Sequence, residues 1–189
     1  LRPQTRCGFA PGTPMSLIPA IAVYAALCKA RGEALRYPGT LAAYDSIYQV
    51  TESAHFARAA LWAATEPRCA GQAFNITNGD FFRWRHVWPT LAGVFDMQVG
   101  EPAPQRLTET MADAGPLWDS LAREYALQPY SYQQIVAWPF ADYVFNTEWD
   151  VMSDTTKARL HGFHDVVDTH EMMTRLLRRF RAERIVPYQ

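Results

Sequence analysis

The sequence has 189 residues, of which 49% are apolar, and a formal charge of −1 at pH 7. This composition supplies enough apolar surface for one core of ordinary size and excludes an intrinsically disordered chain. The near balance of 18 basic and 19 acidic residues lacks the charge pattern of a protein that binds nucleic acid or an anionic membrane.

Cysteines and apolar runs narrow the class of protein further. Cys7, Cys28 and Cys69 share no short spacing, so the sequence predicts neither a disulfide framework nor a CxxC metal site. Reduced thiols are typical of cytoplasmic proteins, which is the localisation we predict. The longest apolar run, residues 17–28, is too short to span a bilayer.

The first thirty residues predict a strand, a loop and a helix. Residues 1–6 suit an extended strand, and the glycines and prolines of residues 8–14 mark a loop. Ser16 can cap a helix that continues to about Ala30. Gly32 is placed to end that helix.

Two further extended runs precede the second helix. Residues 33–39 and 45–50 each predict a short strand. Thr51 is the expected N-cap of the next helix, with Glu52 in its first turn, where a carboxylate complements the helix dipole. Helical spacing assigns the buried stripe of that helix to Phe56, Ala60, Ala63 and Ala64.

A third block contains a strand, a sharp turn and an aromatic helix. Residues 73–76 predict the strand, and we expect Asn75 and residues 78–80 to hold the turn and cap the helix that follows it. The predicted core face of that helix consists of Trp84, Trp88, Leu91 and Phe95. Pro89 requires the helix to begin late enough to place the proline in its first turn.

The remainder of the chain predicts mostly helices. Residues 97–104 suit a short strand, and residues 105–146 suit helices interrupted by prolines. Asp168 and Glu171 have the spacing of a capping box for the last helix. The inward residues of that helix are predicted to be Met173, Leu176, Leu177 and Phe180. Residues 184–189 suit a short extended end, and the order of elements predicts an α/β fold with a helix-rich second half.

No complete catalytic constellation can be assembled from the sequence. A dinucleotide-binding turn needs closely spaced glycines, and neither GxGxxG nor GxxGxxG occurs. Acid–base reduction chemistry needs a Tyr with a Lys four residues later, and neither Lys29 nor Lys157 is so placed. The histidines at 161 and 164 lack a supporting Cys or carboxylate pattern, so no metal site is predicted.

Longer segments carry a more specific signal. They include "LRPQTRCGFAPGTPMSL" at residues 1–17, "NITNGDFFRWRHVWP" at 75–89, "WPFADYVFN" at 138–146 and "SDTTKARLHGF" at 153–163. Together they resemble the progesterone 5β-reductase/iridoid synthase-like (PRISE-like) group of the short-chain dehydrogenase/reductases. In that group the glycine-rich turn and the catalytic Tyr/Lys pair lie in the N-terminal half. The resemblance therefore implies that the sequence is a truncated, C-terminal portion without catalytic residues of its own.

The resemblance also implies a fold and an activity. It implies an α/β fold with the late strands of a Rossmann-type parallel sheet and a helix-rich C-terminal substrate-binding lobe. Residues 1–80 would form the C-terminal part of the Rossmann-type domain, and residues 81–189 the lobe. The implied activity is NADPH-dependent hydride transfer to the C=C bond of a small apolar enone or steroid-like substrate. The group is also compatible with a homodimer.

Seven residues match family positions near the ligands. The resemblance assigns to the cofactor, mostly through backbone groups, Pro3, Thr5, Arg6 and Gly8. It assigns to the substrate pocket Phe9, Met15 and Phe140. Family members usually carry an aliphatic residue where Arg6 stands, so the local packing is expected to differ there.

Two alternatives stay open. A nucleotide-sugar epimerase or dehydratase relative would need cations for substrate phosphates, and residues 97–150 contain only Arg106 and Arg123. A non-catalytic binding module is the other alternative, because the 189 residues contain no complete catalytic set.

Overall fold

The computed structural model describes residues 1–187. Its first extended stretch forms two short strands, each with a parallel partner. β1 (Arg2–Pro3) pairs with β5 (Asn75–Ile76), and β2 (Thr5–Cys7) pairs with β4 (Val50–Glu52). β3 (Ile47–Tyr48) and β6 (Phe82–Arg83) form an antiparallel pair. Parallel neighbours require crossover connections, and helices supply them. The prediction of an α/β fold is confirmed.

Helices account for most of the regular structure. In chain order they are α1 (Leu17–Ala30), α2 (Leu41–Asp45), α3 (Ser53–Thr65), α4 (Trp84–Val94), α5 (Leu107–Thr110), α6 (Gly115–Glu124), α7 (Tyr132–Ile135), α8 (Trp138–Phe145), α9 (Thr156–Leu160) and α10 (Thr169–Ala182). A 3₁₀ turn, Pro67–Cys69, follows α3. No helix within residues 1–187 is long and apolar enough to cross a membrane.

The main core surrounds α1. Every residue from Leu17 to Cys28 is buried, as expected of a helix that is apolar on all sides. α8 and α10 pack against α1, and α4 packs against α10. The predicted inward faces of α4 and α10 are confirmed, because all eight residues assigned to them are buried. This core joins residues from both predicted domains, and the boundary at residue 80 stays a prediction.

The start of α3 differs from the prediction. Thr51 does not cap the helix, because β4 continues through Glu52 and α3 begins at Ser53. The Thr51 hydroxyl instead donates to the Ile76 carbonyl at 2.8 Å and accepts from the Gln4 amide at 3.1 Å. The predicted apolar stripe of α3 is confirmed at Phe56 and Ala63, which pack partly buried against a second core cluster, and is wrong at Ala60 and Ala64, which are exposed. The fully buried residues of this helix are His55 and Ala59.

Three other local predictions are corrected. Residues 33–39 and 97–104 form no strands but a single parallel bridge between Leu35 and Val99. Pro89 lies inside α4 rather than in its first turn. Pro89 and Arg85 are both exposed, so water can bond to the Arg85 carbonyl, which lacks the N–H that proline cannot supply. Residues 184–187 form turns and bends, and the last two residues of the predicted extended end lie outside the described residues.

A buried polar cluster connects β4, β5 and α10, and we call it the Asn78 junction (Glu52, Asn78, Asp80 and Thr169). Asn78 accepts from the Glu52 amide at 2.7 Å and donates to Thr169 Oγ1 at 3.0 Å. Asp80 accepts from the Thr169 amide at 2.8 Å and from its hydroxyl at 2.6 Å. The turn at Asn78 therefore holds the start of the last helix, α10, and not the helix that follows the turn.

Candidate functional site

A cleft of about 360 Å³ opens where β2 ends and where α1 and α3 begin. Its lining residues are Thr5, Arg6, Gly8, Ala10, Thr13, Met15, Ser16, Ser53 and Phe140. Ligands of open α/β folds bind outside the carboxyl ends of parallel strands. The position of the cleft makes it the candidate functional site.

Close packing of two chain segments shapes the floor of the cleft. A Cβ atom added to Gly8 would lie 2.5 Å from Ser53 Oγ and 2.9 Å from Ser53 Cβ. Only glycine allows the strand end to approach the first residue of α3 this closely. The β2–β4 ladder ends at Cys7, so the backbone from Gly8 onward lies beyond the sheet.

One polar side chain of the cleft is held by a tyrosine behind it. Thr5 Oγ1 and Tyr48 Oη form a hydrogen bond of 2.9 Å. Burial raises the pKa of Tyr48, while its hydrogen bond to Thr5 acts in the opposite direction. The phenol therefore stays protonated at neutral pH and serves to position Thr5.

The cysteine at the end of β2 is not a reactive nucleophile. Cys7 is fully buried. Burial, and then the charge of Glu52, raise the pKa of its thiol to about 12. Glu52 itself is paired with Arg175 on α10 at 2.5 Å. A thiol in this environment does not ionise at neutral pH.

The structure brings five of the seven predicted site residues to the cleft. Four of them lie on the loop side or at the strand end, namely Thr5, Arg6, Gly8 and Met15, and Phe140 faces them from α8. The side chain of Met15 is 69% exposed. The roles assigned to these residues remain predictions, but their proximity is now a structural observation.

The other two residues lie elsewhere. Pro3 pairs with Ile76 in the β1–β5 ladder and does not line the cleft. Phe9 packs against α10, with its ring centroid 4.9 Å from that of Phe180 and the Arg179 guanidinium 4.0 Å from its own centroid. Phe9 therefore packs against the core and does not form the predicted apolar wall of the cleft.

Sequence reasoning missed the hydroxyl side chains of the cleft. Ser16 was predicted only as a helix cap, yet it forms no side-chain capping hydrogen bond. Ser53 and Thr13 carried no signal, because single serines and threonines in loops are common. Within residues 1–187, no group of three His, Cys, Asp or Glu residues is placed to hold a metal ion.

No family model matches the chain. The chain is 33% identical over 190 residues to an (S)-8-oxocitronellyl enol synthase from Camptotheca acuminata, covering 98% of this chain and 48% of that protein. The synthase of the same name from Catharanthus roseus is 30% identical over 190 residues, with 98% and 49% covered.

A steroid reductase belongs to the same set of relatives. The 3-oxo-Delta(4,5)-steroid 5-beta-reductase of Arabidopsis thaliana is 29% identical over 189 residues, with 98% of this chain and 48% of the relative covered. The chain thus spans about half the length of the curated relatives it matches. The chain is similar to members of the progesterone 5β-reductase/iridoid synthase-like group, and the similarity matches a C-terminal fragment of them.

Proposed function

We propose that the chain is the substrate-binding portion of an NADPH-dependent reductase that adds a hydride to the C=C bond of an enone. The names of the relatives support an enone or steroid as the substrate class. The single structural observation that carries the proposal is the cleft in which Thr5, Arg6, Gly8, Met15 and Phe140 meet.

The strand end fits the nicotinamide part of such a cofactor. Residues after Cys7 lie outside the ladder, and their backbone groups are the kind that bind a carboxamide. Gly8 has no side chain to obstruct a flat ring. NADPH supplies the hydride when bound. In this proposal the backbone from Gly8 onward holds and orients the ring, and Thr5 and Arg6 line the cleft beside it.

Met15 and Phe140 supply the surface for the substrate. Met15 is largely exposed, and Phe140 is half-buried on α8. Apolar side chains on opposite sides of a cleft can hold an alkene over a flat ring, and hydride transfer depends strongly on this alignment. The cleft volume lies at the lower end of the range for small-molecule sites.

The nucleotide-sugar alternative finds less support. Its substrate phosphates need cations. Arg106 lies in a separate groove beside Asp142 and Tyr143, and Arg123 is exposed on α6. Neither residue lines the cleft. The non-catalytic binding module is the alternative that the following experiment separates from a reductase.

The proposal can be tested with a hybrid protein. The N-terminal portion of the Camptotheca acuminata relative is joined to this chain, and NADPH oxidation is followed with 2-cyclohexen-1-one or progesterone. We expect turnover by the hybrid and none by the 189-residue chain alone, which lacks the glycine-rich turn and the Tyr/Lys pair.

Two substitutions on α8 locate the substrate in this assay. Phe140→Ala should raise KM for the enone by roughly tenfold, because the loss of one apolar contact between side chain and substrate weakens binding by about that factor. Tyr143→Ala is the matched control, since Tyr143 is exposed on the same helix and does not line the cleft. A folded hybrid that binds NADPH but reduces no enone would favour the binding module.

A further inference from the structure

We propose that the cleft recognises a carboxylate on its substrate, through Arg6, Ser16 and Ser53. The inference rests on the proposed function and deepens it, because it names the substrate class as an enone that carries a carboxylate. The observations behind it are polar groups that the fold leaves without partners in the cleft.

Ser16 is the first of these groups. Its exposure is only 6%, and its hydroxyl neither caps α1 nor bonds to any other residue between 1 and 187. The Ser16 hydroxyl is not sealed inside the core, because the residue lines the cleft. A ligand oxygen in the cleft can therefore accept a hydrogen bond from Ser16 without displacing a protein partner.

Arg6 gives the cleft its charge. Among the nine described residues that line it, Arg6 is the one with an ionised side chain. Its guanidinium forms no ion pair or hydrogen bond within residues 1–187. The nearest acid along the paired strands, Glu52, is engaged by Arg175 at 2.5 Å. The cleft therefore presents an uncompensated positive charge.

The start of α1 adds to this charge. Ser16 precedes this helix of 14 residues, which has neither a side-chain cap nor an acidic residue in its first turn. Helix N-termini carry partial positive charge and favour anions. Ser53 opens α3, whose N-cap residue is Glu52, so α3 offers a hydroxyl and not an uncompensated helix end. Arg6 and the start of α1 thus favour the same sign of ligand at one place.

A carboxylate matches these groups better than a neutral carbonyl does. Its two oxygens can accept from the fork of a guanidinium and from hydroxyl groups together. The rest of the ligand can lie against Met15 and Phe140 in the same cleft. A phosphate shares the anionic chemistry, so the experiment must separate it from a carboxylate.

Calorimetric titration of the chain tests the inference without cofactor or turnover. The probes are 3-benzoylpropanoate, its methyl ester and inorganic phosphate. The two organic probes lack the alkene, so they cannot alkylate a thiol. We expect the acid to bind at least about tenfold more tightly than the ester, because charge-assisted hydrogen bonds are lost in the ester.

Substitutions assign the effect to residues. Arg6→Gln should weaken binding of the acid by about ten- to hundredfold and leave the ester within twofold. Arg6→Lys should restore part of the loss, and Ser16→Ala should cost roughly fivefold. Arg2→Gln is the matched control, because Arg2 is exposed on the neighbouring β1 and does not line the cleft.

Three results would overturn the inference: equal affinity for acid and ester, equal losses in the Arg2 and Arg6 variants, or phosphate binding tighter than the acid. Its failure is distinguishable from failure of the proposed function. Reduction of a neutral enone by the hybrid without any preference for the acid removes the carboxylate subsite alone. Tight binding of the acid with no reduction removes the reductase alone.

Discussion

The cleft and the Asn78 junction both lie where a short parallel strand ends, but they differ in whether their polar side chains have hydrogen-bond partners. At the junction Asn78 is 0% exposed, and its amide oxygen and nitrogen both have partners. In the cleft Ser16 is almost as buried and has none. Pairing makes the first region a structural element, whereas its absence makes the second available for a ligand.

The difference follows from which elements pack against each strand end. At the junction α10 begins against the turn, and Thr169 supplies a hydroxyl and an amide to Asp80. At the cleft the starts of α1 and α3, the loop after β2 and Phe140 of α8 line an open space at the strand end. Stability is therefore expected to depend on the junction, and ligand affinity on the cleft.

The largest effect is expected for Asn78→Ala. The substitution leaves the Glu52 amide and the Thr169 hydroxyl with one partner fewer in a buried site. Urea unfolding should show a loss of about 3 kcal/mol, since each buried group left unpaired costs about 1–3 kcal/mol. Asn75→Ala, which removes one exposed bond to the Asp154 carbonyl, should cost under about 1 kcal/mol. Equal losses of unfolding free energy in the Asn78 and Asn75 variants would show that the buried pairing at the junction is not what stabilises it.

Gly8→Ala should have the next largest effect, because it tests packing in the cleft rather than pairing. The new methyl group would lie 2.5 Å from Ser53 Oγ, and overpacking of this kind costs about 1–3 kcal/mol. Combining it with Ser53→Gly removes the clashing side chain and should recover most of the loss. No recovery in the double variant would show that another contact fixes Gly8.

A smaller effect is expected from the protonation of His55, which should make the free energy of unfolding depend on pH. Its Nε2 is the one side-chain nitrogen or oxygen in the described part of the chain that is itself sealed from solvent and has no hydrogen-bond partner. Burial, and then the nearby Arg58, lower the pKa of His55 below 6.5. The folded state thus binds fewer protons than the unfolded state at mildly acidic pH. Stability should fall as pH drops below about 6.5.

His55→Phe isolates this contribution, since phenylalanine keeps a ring that packs against Phe163, with the two ring centroids 5.1 Å apart. The difference in unfolding free energy between pH 7.5 and 5.5 should shrink, because the variant has no imidazole to bind a proton at position 55 on unfolding. His164→Gln, an exposed histidine, should leave the difference unchanged. An identical pH profile for the His55 variant and the parent would show that His55 is not responsible.

The smallest effect is expected for Ser16→Ala. The hydroxyl has no partner to lose, so the free energy of unfolding should change by under about 0.5 kcal/mol, in contrast to a functioning cap. The same urea experiment measures it beside Asn78→Ala. A loss above about 1 kcal/mol would mean that Ser16 does cap α1 and is not held for a ligand.

The sequence predicted the long helices because their patterns are local. The buried faces of α4 and α10 follow directly from helical spacing, and Asp168 accepts from the Glu171 amide at 2.8 Å as the capping signal predicts. It failed at α3, where pairing of β4 with β2 keeps Thr51 and Glu52 extended. Pairing with a strand 45 residues away is invisible to a local pattern.

The sequence predicted only part of the cleft, because local motifs identify chain segments but not the long-range contacts of their side chains. The resemblance identified the strand end and the loop, and five of the seven residues meet there. It did not separate Phe9 from Met15, because the direction in which a loop side chain points depends on what packs against it. Phe9 packs against Phe180 and Arg179 of α10 instead of lining the cleft.

The sequence by itself determined the class of fold, the main helices and the family resemblance, since these depend on periodicity, capping residues and contiguous motifs. Only the tertiary structure decided which polar groups are paired. Asn78 and Ser16 look equally like turn and cap residues in the sequence. Their partners come from segments far along the chain, and only folding shows that Thr169 reaches Asn78 at 3.0 Å while the Ser16 hydroxyl is left for a ligand.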